Sequence, residues 1–261
     1  MAEPKKTLDP VHANAGITAQ YRRRLDRHIT DMQASLVYWI SAKYKQATPE
    51  LAQDASPAME LRTLMRKLTR RWQRNFDNLA PELAQWFAQD ATERSDAALA
   101  ASFRKAGFTV RFRATAAQND AYQAIVGENI GLIKSIASQH LAQVQGEVMR
   151  SVSQGRDLGT LTEALTHQYG VTRRRAGFIA RDQNNKATAT MTRVRQREAG
   201  IKQAKWLHSA GGKVPRPSHV AFSGKAYDVE KGAYIDGEWI RPGELPNCRC
   251  VSVSIIPGFD D

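Results

Sequence analysis

The stretch LRTLMRKLTRRWQRNFDNLAPEL, residues 61–83, decides the fold class. With Leu61 at zero and about 100° per residue, Leu61, Met65, Leu68, Trp72, Phe76, Leu79 and Leu83 fall between roughly −20° and 60°, whereas Arg62, Arg66, Lys67, Arg70, Arg71 and Arg74 spread over roughly 100° to 280°. A strand would alternate; only a helix burying one side separates residues in this way. From 62 to 74 no acid interrupts the basic side, so i,i+4 pairing leaves it charged. The pattern predicts an amphipathic helix from Pro57 to about Asp90, with a kink or restart at Pro81. Its basic side is solvated, paired with acids elsewhere in the fold, or turned toward a polyanion, for which Arg62, Arg66, Arg70 and Arg74 are the candidates.

The same periodicity extends in both directions. Ile17, Tyr21, Leu25, Met32, Leu36 and Trp39 recur at threes and fours and predict a helix from Asp9 to about Lys45, broken across ATPELAQDASP by Pro49 and Pro57. A third helix is expected from Ala91 to Lys105, stopped by Gly107. FTVRFR, residues 108–113, alternates and reads as extended, either a short strand or a linker. Residues 116–154 are helical through Ile125, Ile133, Ile136, Val144 and Val148, closed by SQGRDLG. A helical pair follows, separated at Gly170. Beyond Gly200 the chain turns rich in Gly, Pro and aromatics, with KAYDV, EWI and CVSVSII between turn signals, which predicts a small sheet with long loops. The fold class is therefore α+β, in three parts: a helical arm over 1–114, a helical part over 115–203 and a small β-rich part over 204–261.

Composition narrows the partners. The 261 residues are 42% apolar, enough for a real core, and 38 Lys plus Arg against 26 Asp plus Glu leave a net charge of +12, which favours a polyanionic partner. Between Val171 and Lys205 ten basic residues face two acids, so the surplus is concentrated there, with Arg173, Arg174, Arg175, Arg181, Arg193, Arg195 and Arg197 as candidates for phosphate or an acidic protein surface. No run approaches the about 18 uncharged apolar residues of a membrane helix, and MAEPKKTLDP lacks the apolar core of a signal peptide; a chain made and kept in the cytosol, or inside something assembled there, is expected.

Two cysteines, Cys248 and Cys250, form no disulfide framework, and reduced thiols packed beside a strand are expected. With His208 and His219 they make a zinc site combinatorially possible, His219, Cys248 and Cys250 being the candidates, but paired zinc cysteines are usually two to four residues apart and Cys-x-Cys chelates less well. No cofactor is expected. AGGK at 210–213 lacks the phosphate-loop spacing, and Asp182, Asp228, Asp236 and Glu238, the carboxylates available for a magnesium site, sit in patterns that suit turn geometry.

IARDQNNKATATMTRVRQREAGI, WLHSAGG, PRPSHVAFSGKAYDV and PGELPNCRC together resemble, in order and spacing, the phage Mu protein F-like head-morphogenesis (minor head protein) family, over about residues 125–256. The positions that carry the resemblance are Ile179, Ala180, Arg181, Asp182, Trp206, Arg216, His219, Gly224, Pro246, Asn247, Cys248, Arg249 and Cys250. The chain departs from relatives that hold Asp-x-x-x-Cys-x-x-Cys between tryptophan and histidine; SAGGKVPRPSH stands there instead, which weakens the metal reading. The resemblance implies a low-copy head protein assembled in the host cytoplasm and resident in the virion. It would contact the portal protein or major capsid protein and meet packaged double-stranded DNA, without enzymatic activity; separately, the continuous apolar faces of the long helices need covering, so self-association or a partner is expected, and no membrane is. It also implies a structural role for the Pro-Asn-Cys-Arg-Cys motif, with thiols inward and Arg249 paired to an acid. The alternatives are a metal-dependent nuclease or hydrolase using His219 with Cys248 or Cys250, and a nucleic-acid-binding protein unrelated to capsids.

Overall fold

The computed structural model describes residues 6–46, 57–154, 157–211 and 214–256. The break read at residues 47–56, Gly155 of the closing turn, and Gly212 and Lys213 lie outside the described residues. Four long helices come first: α1 (Ala15–Gln46), α2 (Pro57–Lys105), α3 (Ala116–Ser153) and α4 (Leu158–Glu198). β1 (Gln203–Leu207), the one-turn α5 (Pro217–Ala221), β2 (Ala226–Asp228), β3 (Ala233–Ile235), β4 (Glu238–Ile240) and β5 (Val251–Ser254) follow, so the expected α+β class holds.

Helix starts are set by side chains that occupy otherwise unpaired N–H groups. Asn14 Oδ1 accepts from the N–H of Gly16 at 2.8 Å, Thr115 Oγ1 from Gln118 at 3.1 Å, and the Asp157 carboxylate from Thr160 at 2.7 Å. Three breaks expected inside helices, the restart at Pro81, the boundary between Asp90 and Ala91 and the stop at Gly170, do not occur, and the separate helix expected over Ala91–Lys105 is the end of α2. α2 runs unbroken through Pro81, because Phe76, Ala80, Leu83, Ala84, Phe87 and Ala88 keep one buried face across it, and that burial outweighs the roughly 3 kcal/mol that a proline inside a helix costs. α4 likewise passes through Gly170, since a single glycine costs only about 1 kcal/mol. FTVRFR is extended without ladder pairing; Phe108, Val110 and Phe112 lean on the core.

The described chain forms two compact units, each gathered from separate stretches. One comprises Ala19–Ala84 and Glu128–Ile179. Its apolar stripes are buried as the periodicity predicts: Tyr21, Leu25, Met32 and Leu36 on α1, Leu61, Met65, Trp72 and Phe76 on α2. Trp39 departs from its stripe. It is 45% exposed against Tyr38, while Ile29 and Ile40 hold the buried line. Buried polar groups cross between helices: Tyr21 Oη donates to Asn129 Oδ1 at 3.0 Å, and Gln33 Nε2 to the Leu165 carbonyl at 3.1 Å.

The other unit comprises Met1–Thr18, Gln85–Gly127 and Ala180–Asp261. β1 is central in an antiparallel sheet ordered β2-β1-β5, with Trp206 opposite Ser252 and Ala204 opposite Tyr227. β3 and β4 form a hairpin whose two-residue turn, Asp236-Gly237, has both φ values positive, the geometry that matches strand twist. Residues read as part of the helical arm extend the sheet: Leu8 N–H donates to Ser254 O at 2.9 Å, and Ile256 N–H to Lys6 O at 3.0 Å. Leu8 and Val11 thereby join Leu99, Phe103, Trp206 and Ile256 in the core of this unit.

One buried histidine gives the first unit a pH-dependent stability. His140, on α3, contacts Thr172 Oγ1 through Nδ1 at 2.9 Å, and burial lowers its pKa from 6.5 to about 4. Between those values the unfolded chain holds a proton that the folded chain refuses, so stability is full above about pH 6.5 and is lost as pH falls toward 4. Urea midpoints measured across this window should decline on acidification, and His140→Gln should flatten the decline.

Candidate functional site

The residues of PNCRC are arranged by a tight turn anchored to α4. Pro246 fixes one dihedral, Asn247 takes the left-handed conformation at φ 58°, and Cys248 N–H closes the turn onto Leu245 O at 2.9 Å. The buried carboxylate of Asp182 accepts the Asn247 N–H at 2.5 Å and pairs with Lys186 at 3.2 Å, while Arg216 Nη2 donates to Pro246 O at 2.9 Å. Asp182 is thus the anchor of the turn. Gly243, at φ 81°, is where the incoming segment crosses α4: a Cβ there would lie 2.7 Å from that of Ala189, so no larger residue fits.

Beyond the turn, Cys248 and Cys250 project to the same side, each about 4% exposed. His219, on α5, meets both: its Nδ1 lies 3.6 Å from each sulfur. The three ligand atoms lie within 4.8 Å of one another. Trp206 packs edge-on against the imidazole, centroids 5.0 Å apart, and against Phe222 and Tyr227. The hydrogen bond from the Cys250 thiol favours a thiolate at Cys248 and holds it well below the ordinary thiol range against the cost of burial, with help from His219; the same bond pushes Cys250 up. The indole N–H of Trp206 makes no hydrogen bond of ordinary geometry, yet its dipole favours the Cys250 thiolate. The three side chains line a cavity of about 210 Å³, with His208, Arg216 and Arg249 at its walls.

Two expectations for this motif need restating. The thiols do face inward, but Arg249 donates to the carbonyl of Gly211 rather than to an acid. Asp228 accepts from the N–H groups of Glu230 and Lys231 at 2.8 Å and so shapes a turn, whereas Asp236 accepts from Ser218 Oγ at 2.6 Å and ties the β3–β4 turn to α5. Gly224, at φ 84°, donates its N–H to Trp206 O at 2.7 Å and closes the connection from α5 to β2.

The basic candidates divide by environment. Arg62, Arg66, Arg70 and Arg74 on α2 are all exposed. The run on α4 is largely absorbed into the fold. Arg195 is 2% exposed, bonded to Asp96 at 2.6 and 2.9 Å, to Glu198 at 2.7 Å and to Arg113 O at 2.8 Å, and stacked on Phe112, so it offers nothing to a polyanion. The hydrogen bonds to Asp96 drive its pKa up. Arg173 pairs with Asp26 at 2.9 Å, Arg197 with Glu230 at 2.7 Å, and Arg175 donates to Ser135 Oγ at 2.8 Å; Arg181 and Arg193 are half-buried and Arg174 is exposed. Burial lowers the pKa of both Arg175 and Arg193. Charge counting missed a basic concavity of about 560 Å³ walled by Arg23, Arg24, Arg27 and His28 with Leu79 and Glu82. Its signal was the RRR run at 22–24 beside a buried helix face.

Residues 142–253 match the family model described as phage Mu protein F like protein, a span that takes in α4, the sheet up to Val253 and the whole cysteine–histidine cluster. A Haemophilus influenzae protein described as uncharacterized is 37% identical over 133 residues, which is 51% of this chain and 29% of that protein. The matched stretch thus spans less than a third of that relative's length. No solved structure gives a significant match.

Arg195→Ala separates a structural arginine from a binding one. Removing it strands two partly wet acids, and a loss of up to about 3 kcal/mol is expected in chemical denaturation. DNA retention at fixed salt should stay unchanged once folding is confirmed by circular dichroism.

Proposed function

With a phage Mu protein F-like segment present over residues 142–253, we propose that this chain is a minor head protein of a tailed bacteriophage, acting in head morphogenesis at the portal or inner capsid and resident in the virion. The observation that carries the reading is the match itself, which covers the helix and turn whose anchoring geometry is described above. Partners are the portal protein or the major capsid protein, with packaged double-stranded DNA meeting the exposed arginines of α2. Among the described residues no helix is long and apolar enough to cross a membrane.

The role is scaffolding rather than turnover. Among the described residues no carboxylate joins the cluster of His219, Cys248 and Cys250, so hydrolysis there would have to use the imidazole itself as the base. Asp182, the acid among the motif positions, is committed to the turn and Lys186.

Mass spectrometry of purified procapsids and mature heads should find this chain in low copy; its absence from both would refute the proposal. Binding to duplex DNA should weaken steeply with salt. Replacing Arg62, Arg66, Arg70 and Arg74 together by Gln should lower the log–log salt slope by about 3–4, since each phosphate contact contributes about 0.9. An unchanged slope would remove DNA from the list of partners while leaving the head assignment standing.

A further inference from the structure

We propose that His219, Cys248 and Cys250 form a metal site for a single zinc-class ion, held by the imidazole Nδ1 and the two sulfurs. The proposal is independent of the head-protein reading.

The distances carry it. Zinc binds thiolate at about 2.3 Å and imidazole at about 2.0–2.1 Å, and tetrahedral angles then place the nitrogen about 3.5–3.6 Å from each sulfur. Nδ1 lies 3.6 Å from Cys248 Sγ and 3.6 Å from Cys250 Sγ. Hydrogen bonding alone gives no reason for this symmetry, because one imidazole nitrogen has a single proton or a single lone pair and serves one sulfur well. An ion placed between the three serves all of them.

The donor set selects the ion. Two thiolates and an imidazole are soft and borderline ligands, suited to zinc and unsuited to magnesium or calcium, which take oxygen. All three residues are buried, and burial without charge compensation disfavours a thiolate, whereas a divalent cation compensates it.

The weak chelating power of Cys-x-Cys is overcome by its setting. The turn at Asn247, tied to Asp182, aims both sulfurs one way, and α5 supplies the imidazole from a separate part of the chain. The His219 ring is held by edge-on packing against Trp206, while its Nε2 is buried and makes no hydrogen bond. Three protein ligands leave a fourth position, and all three residues line the cavity of about 210 Å³, so water reaches it. Such an ion clamps α5 to the segment entering β5.

The test uses the full chain, purified reduced, incubated with zinc and passed through gel filtration. About one equivalent of zinc per chain should be retained, and cobalt(II) in its place should show a thiolate charge-transfer band. Cys250→Ser should weaken that band, and Cys248→Ser with Cys250→Ser should abolish it and release the metal, with helical circular dichroism preserved. Less than about a tenth of an equivalent on the reduced wild type would overturn the proposal, as would undiminished metal on the double variant. If the double variant does not fold, the wild-type stoichiometry and cobalt spectrum decide. A spectrum without the thiolate band would also overturn it.

Discussion

The C-terminal half of α4 buries a run of polar side chains, and buried polar groups must find partners. Asp182, Asn184, Arg195 and Gln196 are each less than a tenth exposed. Each reaches a different part of its unit. Asn184 Nδ2 donates to Asn14 O and Thr18 Oγ1, both at 2.8 Å. Asp182 holds the Pro-Asn turn. Arg195 takes the carbonyl of Arg113 at the end of the extended linker, and Gln196 Nε2 donates to the hydroxyls of Ser252 and Ser254 on β5 at 2.8 Å. An apolar helix face would pack against many partners; this one specifies four.

That requirement explains how the sheet and the site are positioned. β5 is fixed against Gln196, and the turn leading into it is fixed by Asp182, so the two cysteines between these anchors have little freedom. Trp206, fully buried on the central strand, then meets His219, Phe222 and Tyr227 edge-on, with ring centroids 5.0 to 6.2 Å apart. The matched segment 142–253 contains Asp182, Gln196, Trp206, His219, Phe222, Tyr227 and both cysteines, and ends one residue before Ser254.

Much of this was legible before any coordinates. Helical faces were, since a residue such as Phe76 or Met32 announces its side by spacing alone, and so were the small sheet and the Asp236-Gly237 turn. Helix ends were less so. Pro81 and Gly170 are local penalties that a continuous buried face overrides, and no local rule contains the strength of that face. The basic run on α4 misled in another way: charge counting treats Arg195 and Arg174 alike, yet one is sealed between Asp96, Glu198 and Phe112 and the other is exposed. The partner acid lies 99 residues away in sequence.

By itself the sequence determined periodicity and chemistry: which faces are apolar, where turns form, and which side chains are thiol, imidazole or guanidinium, because these depend on near neighbours and residue type. Tertiary structure decided convergence. Only the folded chain brings His219 within 3.6 Å of two sulfurs some thirty residues on, gives Asp182 to a turn 65 residues later, and threads residues 6–8 along the edge of β5. Those contacts follow from the burial and pairing of groups remote along the chain, a quantity that local spacing does not carry.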